Sequence, residues 1–399
     1  MANFRLISPQ ARQRADRQLT LIQFLFLLTW IVYAIYLERL LQGMGFSRQF
    51  ALMMLILDQA LFAVADIALG CWADRLIKQW KKFAPGLIVL NLLGCLSFML
   101  LPFIAAQGSS TFFVAVTILW VLSASVLRTP LYAMIATRSN DQKSSASHAW
   151  ALLGMGLASA SAPYLGQSLT NLSPTLPFML SGCSLALVSF SFLHKGFLPN
   201  PPTKQATEAA PTPHSTALFK LLPIGLCLGL AAQLHLFINS GTLYKAFTQA
   251  SELPWLLPIF WIGFSVVLFP ASKWLNRLTP SLLLLIGGIL GASSLILCSV
   301  APNLPLLITG QLLTGCAWGL VFMGGLCAAG GWGQRGREGL FLGAWFAMLA
   351  IGTGIRVLLV MLGYAQLPNL TVPLANSLWL IGAVLAWWCF KPSATLKTA

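Results

Sequence analysis

Six ionisable residues interrupt stretches otherwise made of Leu, Phe, Ile, Val, Ala and Gly: Glu38, Asp58, Asp66, Arg128, His235 and Arg356. At depth in an apolar medium a charge costs about 2.5–3.5 kcal/mol on insertion scales, so each needs a partner or a task. A carboxylate in such a place is a natural proton carrier. Burial favours the neutral acid and a nearby guanidinium favours the anion, so moving the guanidinium changes the proton affinity. Asp58 is the first candidate for that role, with Asp66 and Glu38 behind it. A guanidinium grips a carboxylate or phosphate with two parallel bonds, which makes Arg128 and Arg356 candidates for holding an anionic group. His235 shares one run with Gln233 and Asn239. With an ordinary pKa near ~6.5 it protonates easily, and the three join the candidate substrate contacts. Glu38 adjoins Arg39, and a snorkelling ion pair between them is expected.

The elements that must hold these groups are twelve apolar stretches, roughly 20–41, 50–70, 83–103, 111–135, 147–168, 175–193, 218–240, 252–271, 281–301, 304–330, 340–363 and 370–390, each near the ~20 residues of a spanning helix. Basic residues fall on alternate hinges. One side collects Arg5, Arg12, Arg14 and Arg17, then Arg75, Lys78, Lys81 and Lys82, then Arg138 and Lys143. It continues with Lys195, Lys204 and Lys220, Lys273 and Arg277, Arg335 and Arg337, and Lys391 and Lys397. The opposite side has only Arg39, Arg48 and Lys245, and Arg128 and Arg356 fall inside spans. The positive-inside rule therefore places both termini in the cytoplasm of a multi-pass protein, with the bacterial inner membrane as the expected site.

Composition excludes a soluble globule, since 57% of residues are hydrophobic and only 8% charged. The net charge of +15 edges the cytoplasmic leaflet, where anionic lipid attracts it, and no nucleic-acid partner is implied. Cys95, Cys183, Cys227, Cys298, Cys316, Cys327 and Cys389 lie inside spans and Cys71 closes the second. Without C-x-x-C spacing they read as small packing residues. With 4 His, 9 acids and no H-E-x-x-H, the chain offers no metal site, cofactor or catalytic cluster, so an enzyme is not expected.

Six spans precede and six follow a Pro-rich segment, Lys195 to Ser215, whose composition favours an extended linker. The expected division is 1–194, a cytoplasmic linker 195–217, and 218–399. Gly70-Cys71-Trp72-Ala73-Asp74-Arg75-Leu76 follows the second span and Ser272-Lys273-Trp274-Leu275-Asn276-Arg277-Leu278 the eighth. Trp, Arg and Leu coincide at a constant offset of 202 residues, close to half the chain, as duplicated six-helix halves require.

The stretch from Gly70 to Lys82 resembles the signature between helices two and three of the major facilitator superfamily, roughly G-x-x-x-D-R-x-G-R-K. Gly70, Asp74 and Arg75 match. Ile77 stands at the family's second glycine, and Lys78 and Gln79 at its basic pair. The resemblance implies an all-α integral membrane fold, twelve helices in two pseudo-symmetric six-helix bundles. It also implies that Gly70, Asp74 and Arg75 form a gating latch on the cytoplasmic side, with Asp74 at the amino end of the eleventh span near Gly339 and Arg138 close by. The second copy has Asn276 for Asp74, so an asymmetric latch is expected.

In that fold helices two and eleven face each other, while one, four, seven and ten line a cavity. At 1.5 Å per residue, Asp58 lies about 18 Å from the cytoplasmic end of its helix, Asp66 about 6 Å, Arg128 about 10 Å and Arg356 about 24 Å. The expected pairs are Asp66 with Arg128 inside one half and Asp58 with Arg356 across the halves. Gly154, Gly156, Ala158, Ala162, Pro163 and Gly166 of the fifth span resemble the superfamily's antiporter signature. Arg128 is followed four residues on by Tyr132, where drug antiporters have glycine. The tenth span, with Gly315, Gly319, Gly324, Gly325, Gly330 and Gly331, is a place for unwinding.

The expected function is secondary active transport by alternating access, as proton-coupled export of a small organic, possibly anionic, compound. The alternative is proton-coupled uptake of an organic anion, and from another class a non-transporting sensor or assembly protein on the same scaffold. Primary pumping is excluded by the lack of a Gly-x-x-x-x-Gly-Lys loop. The expected partners are the substrate, protons and lipid, with the protein a monomer.

Overall fold

The computed structural model describes residues 9–77, 79–138, 141–194, 214–333 and 336–389, and every regular element among them is helical. Residues 195–213 of the expected linker lie outside the described residues, as do Lys78, Arg335, Lys391 and Lys397 and the side chains of Lys81, Lys82, Arg138 and Lys143.

Span 1 is Pro9–Gly43, span 2 Arg48–Leu76 and span 3 Trp80–Ala106. Span 4 is Ser110–Ala124 and Thr129–Arg138 on either side of a 3-10 turn, span 5 is Asp141–Leu169 and span 6 Thr175–His194. In the second half, span 7 is His214–Leu234 and Ser240–Lys245 joined by a π-turn at His235–Asn239. Spans 8 to 12 are Pro258–Trp274, Pro280–Ser299, Leu304–Trp332, Glu338–Met361 and Pro368–Cys389. Eleven of the twelve are long and apolar enough to cross a bilayer.

Span 5 falls short of that hydropathy although it has 29 residues. Its place explains why: it packs between span 1 and span 8, so small and hydroxyl residues there meet protein. Gly154 backs onto Thr20, where a Cβ would strike the Thr20 carbonyl, while Gly156 meets Phe264 and Ser265 of the other half. Small residues let backbones approach, which is the main source of helix affinity in lipid.

Two breaks matter. Pro130 has no N–H, so the carbonyl of Val126 loses its helical donor, and the chain turns at Arg128 with φ −105° and ψ −96°. The neighbouring carbonyl of Leu127 accepts from Gln23 Nε2 at 2.8 Å. In span 7 the π-turn adds a residue to one turn of helix, and such bulges re-aim side chains. Span 10, by contrast, runs unbroken from Leu304 to Trp332, which corrects the expected unwinding. Its glycines are packing sites: Gly315 against Phe260, Gly319 against Val267 and Gly325 under the Trp345 indole.

The helices pack as two six-membered sets with the same plan. Span 1 lies on spans 5 and 6 and span 3 on spans 4 and 6, as span 7 lies on 11 and 12 and span 9 on 10 and 12. The sets meet along two seams, span 2 on span 11 and span 8 on span 5, which a pseudo-two-fold exchanges. Gly154→Val should lower the thermal midpoint of the purified protein by an overpacking penalty of about 1–3 kcal/mol. Gly166→Ala, where nothing lies within 4 Å, should leave the midpoint unchanged or slightly raised, as thermal unfolding in detergent would read.

Candidate functional site

Span 2 carries Asp58, Phe62, Asp66, Gly70 and Asp74 at a spacing of four residues. A helix turns 100° per residue, so this stripe drifts about 40° at each step and about 160° from Asp74 to Asp58. Its lower members therefore meet span 11, and its upper end has turned away.

At the Asp74 end the latch is built from backbone. The carboxylate accepts from Gly339 N–H at 2.6 Å and Leu340 N–H at 2.9 Å, two of the unpaired donors that open span 11. Gly70 and Gly339 touch backbone to backbone, since a Cβ on either would overlap the other's carbonyl, and Gly343 abuts the Asp66 carbonyl in the same way. Arg75 is exposed. Ile77 is buried and right-handed at φ −58°, so the turn there needs no glycine. Asn276, the counterpart of Asp74, is exposed.

Two turns deeper lies a second bridge. Arg128 forms an ion pair with Asp66 at 2.8 Å and donates to the Phe346 carbonyl of span 11 at 3.0 Å. Its guanidinium is held between rings, 4.7 Å from Phe62 and 5.1 Å from Phe346, while Thr129 donates to the other Asp66 oxygen at 2.9 Å. The expected pair within one half thus also reaches the other half. The break at Pro130 is what frees Arg128 from a regular helical position to do so. Tyr132 continues the group, stacking on His148 of span 5 at 5.7 Å and meeting Phe346 at a tilt at 5.2 Å.

Asp58 and Arg356 do not pair, which corrects the second expectation. Asp58 accepts from Tyr33 at 2.9 Å, beside rings of Trp30 and Trp120 that stack at 4.5 Å. Spans 2 and 11 do meet at this level, but through Gln59 and Gly354. Asp58 is about 100° and Arg356 about 200° round its helix from that contact, so both point elsewhere. Arg356 lies 4.6 Å from the ring of Phe237 in span 7 and has no carboxylate partner among the described residues.

In the second half His235 Nε2 is 3.0 Å from Gln311 Oε1 of span 10, and Thr371 of span 12 donates to Asn239 at 2.7 Å. Gln233 is half-buried with its Oε1 unpartnered. Glu38 is half-buried; it pairs with Arg48 at 3.8 Å and accepts from Gln42 at 3.1 Å. Its expected partner Arg39 instead donates to the carbonyls of Thr170 and Leu172 at 3.2 and 3.1 Å, because the loop to span 6 lies within its reach.

Gly343, Phe346, His148 and Gln311 were not singled out in the sequence. Gly339-x-x-x-Gly343 and the four-residue stripe on span 2 are signals that point to the seam. Phe346 contributes a carbonyl, which no residue type reveals.

A family model described as Major Facilitator Superfamily matches residues 19–223, more than half of the 399 residues, and the chain belongs to that superfamily. No curated protein sequence matches it. Among solved structures it is similar to the human organic anion transporter MFSD10 (TETRAN), at 15% identity and a TM-score of 0.74, covering 94% of this chain and 99% of that one. It is also similar to FucP in the outward conformation, at 14% identity and a TM-score of 0.70 over 96% and 100% of the two chains. A bacterial homologue of the iron transporter ferroportin in an outward-facing state matches at 14% identity and a TM-score of 0.72, over 94% and 99%. At these identities the likeness is one of fold.

The seam also predicts a cross-link. A Cβ on Gly330 would lie 3.2 Å from that of Ala136, near the spacing of about 3.5–4.5 Å a disulfide needs. Ala136→Cys with Gly330→Cys, in a background whose native cysteines are serine, should oxidise readily on a gel-shift assay. Adding Asp74→Asn and Asp66→Asn should slow that cross-linking about tenfold or more, the weight of the charge-assisted bonds removed; an unchanged rate would show that these carboxylates do not hold the halves together.

Proposed function

We propose that this superfamily member is an alternating-access transporter that exports a small organic anion in exchange for protons, with Arg356 gripping the anion. The observation that carries this reading is the different state of the two intramembrane arginines. Arg128 is committed to Asp66 and to the Phe346 carbonyl. Arg356 rests on a half-exposed phenylalanine and keeps its charge for a ligand. An anion arriving there replaces a cation–π contact with charge-assisted hydrogen bonds, which are the stronger interaction.

Asp58 is the coupling acid. It is fully buried, and among the described residues its Oδ1 has no partner, its Oδ2 accepts from the Tyr33 hydroxyl, and no cation pairs with it. The Asp74 latch and the Arg128 bridge serve as the gate at their end, which the distribution of basic residues assigns to the cytoplasm. With this gate shut, the substrate route opens to the other compartment. Residues 1–194 and 218–399 act as the rocking halves. The protein works as a monomer in the bacterial inner membrane, without metal or cofactor. The likeness to MFSD10, an organic anion transporter, is in keeping with an anionic substrate, and the small-residue pattern of span 5 with exchange.

Proteoliposomes test the assignment with a panel of organic anions. Arg356→Ala should reduce exchange of the active anion about 10- to 100-fold, the loss of one charged contact, and Arg356→Lys should restore part of it. Asp58→Asn should keep anion counterflow but abolish accumulation driven by a pH gradient. Full gradient-driven transport by Asp58→Asn would remove it as the coupling site, and an Arg356→Ala protein that still prefers anions would remove the anion reading.

A further inference from the structure

The interior of the second half is polar along one line that transport of an anion at Arg356 leaves unused. On span 7, the π-turn places His235 and Ser240 five residues apart on one face, and Tyr244 follows one ordinary turn later. His235 and Tyr244 are wholly buried and Ser240 is 1% exposed. Facing them on span 10 is Gln311, also fully buried. His235 and Gln311 share one hydrogen bond at 3.0 Å. Four atoms of this group have no hydrogen-bond partner among the described residues: His235 Nδ1, Ser240 Oγ, Gln311 Nε2 and Tyr244 Oη. One turn further along span 10, Thr314 Oγ1 donates to Ser294 Oγ of span 9 at 2.9 Å, so the line continues inward.

An unmade hydrogen bond at a buried polar atom costs about 1–3 kcal/mol, so each of the four calls for a partner. Water supplies one where neighbouring polar groups share a site. We propose that Tyr244, Ser240, His235 and Gln311 form a hydrated file inside the second half, through which protons from the Lys245 end of the molecule reach His235. Lys245 and the loop after it are exposed, so the file starts within a turn of the surface and extends about 13 Å along the helix to His235.

The groups around His235 leave it the proton acceptor of this line. Span 8 presents Phe260, with ring centroids 6.3 Å apart, and span 10 presents Gln311. Spans 9, 10 and 12 contain no Asp, Glu, Lys or Arg, the one charged residue of span 8, Lys273, is at its far end, and span 11 brings Arg356 to 4.6 Å from the Phe237 ring, with Glu338 at its opposite end. Tyr244 packs with Cys298 of span 9, and those two are the other titratable groups of the file. Offset by 202 residues, Tyr33 and Asp58 correspond to His235 and Phe260. The first half puts its proton site on the second helix of the pair, and the second half on the first.

Hydroxyl-radical footprinting by X-ray radiolysis marks side chains beside bound water even when they are buried, and it reads the intact protein without substrate. In wild-type protein, Tyr244 and His235 should be modified at least about tenfold faster than Phe178 and Phe98, which are equally buried. In proteoliposomes of histidine-labelled protein, the NMR signal that His235→Gln removes should shift reversibly with the pH of the compartment at the Lys245 end. Modification at the rate of the phenylalanines, or a signal that ignores that pH, overturns the proposal. Neither measurement involves anion flux, so its failure is separate from that of the transport reading.

Discussion

The structure depends on the backbone contact between spans 2 and 11. Gly70 meets Gly339, and Gly343 meets the Asp66 carbonyl, with no side chain between the helices. In lipid no hydrophobic drive holds two helices together, so close approach and interhelical hydrogen bonds must do it. That approach is what brings the Gly339 and Leu340 N–H groups onto Asp74 and the Phe346 carbonyl onto Arg128. The two bridges join different kinds of group. One sets a carboxylate on helix-end donors, the other a guanidinium on a mid-helix carbonyl, and each loses its geometry when the helices separate by more than a hydrogen-bond length.

The companion seam, span 5 on span 8, is held otherwise. Ser145 donates to the Ser272 carbonyl at 3.2 Å, Trp150 meets Phe269 edge-on at 5.0 Å, and Tyr164 meets Trp255, in the short helix Leu253–Leu256 just before span 8, at 4.9 Å. These contacts are neutral and run along the whole length of the pair. Among the described residues the contacts that Asp74 and Arg128 make between the halves lie on the span 2–span 11 side, and Asn276 leaves the image of Asp74 without charge. A duplicated architecture has been kept for packing and divided for chemistry: Asp58 and Asp66 lie within the first half, whereas His235 and Arg356 of the second have no acid paired with them among the described residues.

Much of this was legible in the chain. The alternating basic hinges, twelve apolar runs and the 202-residue echo of Trp, Arg and Leu led to the architecture because bilayer thickness and backbone hydrogen bonding allow few other solutions. The Asp66–Arg128 pair followed from equal depth, which needs only the rise per residue. Asp58 and Arg356 failed by the same reasoning, since depth is linear in sequence while facing direction accumulates 100° with every residue. The partner of Arg39 was missed because loop geometry brings Thr170 and Leu172 to it from more than a hundred residues away. The span 10 glycines read as a site for unwinding but serve bulky neighbours such as Trp345, whose position no local pattern contains.

Residue types and their spacing by themselves determined that this chain spans a membrane in two related sets of helices, and which few residues bear charge at depth. Tertiary structure alone decided what each charge faces: that Arg128 is bound across the seam, that Arg356 lies on a ring, that Asp58 turns to Tyr33, and that a π-turn aligns His235 with Ser240. The physical reason is that burial and periodicity are properties of one helix, whereas a hydrogen bond is directional and short. Its partner is set by the rotation and register of two helices together, and often by a backbone carbonyl that every residue shares.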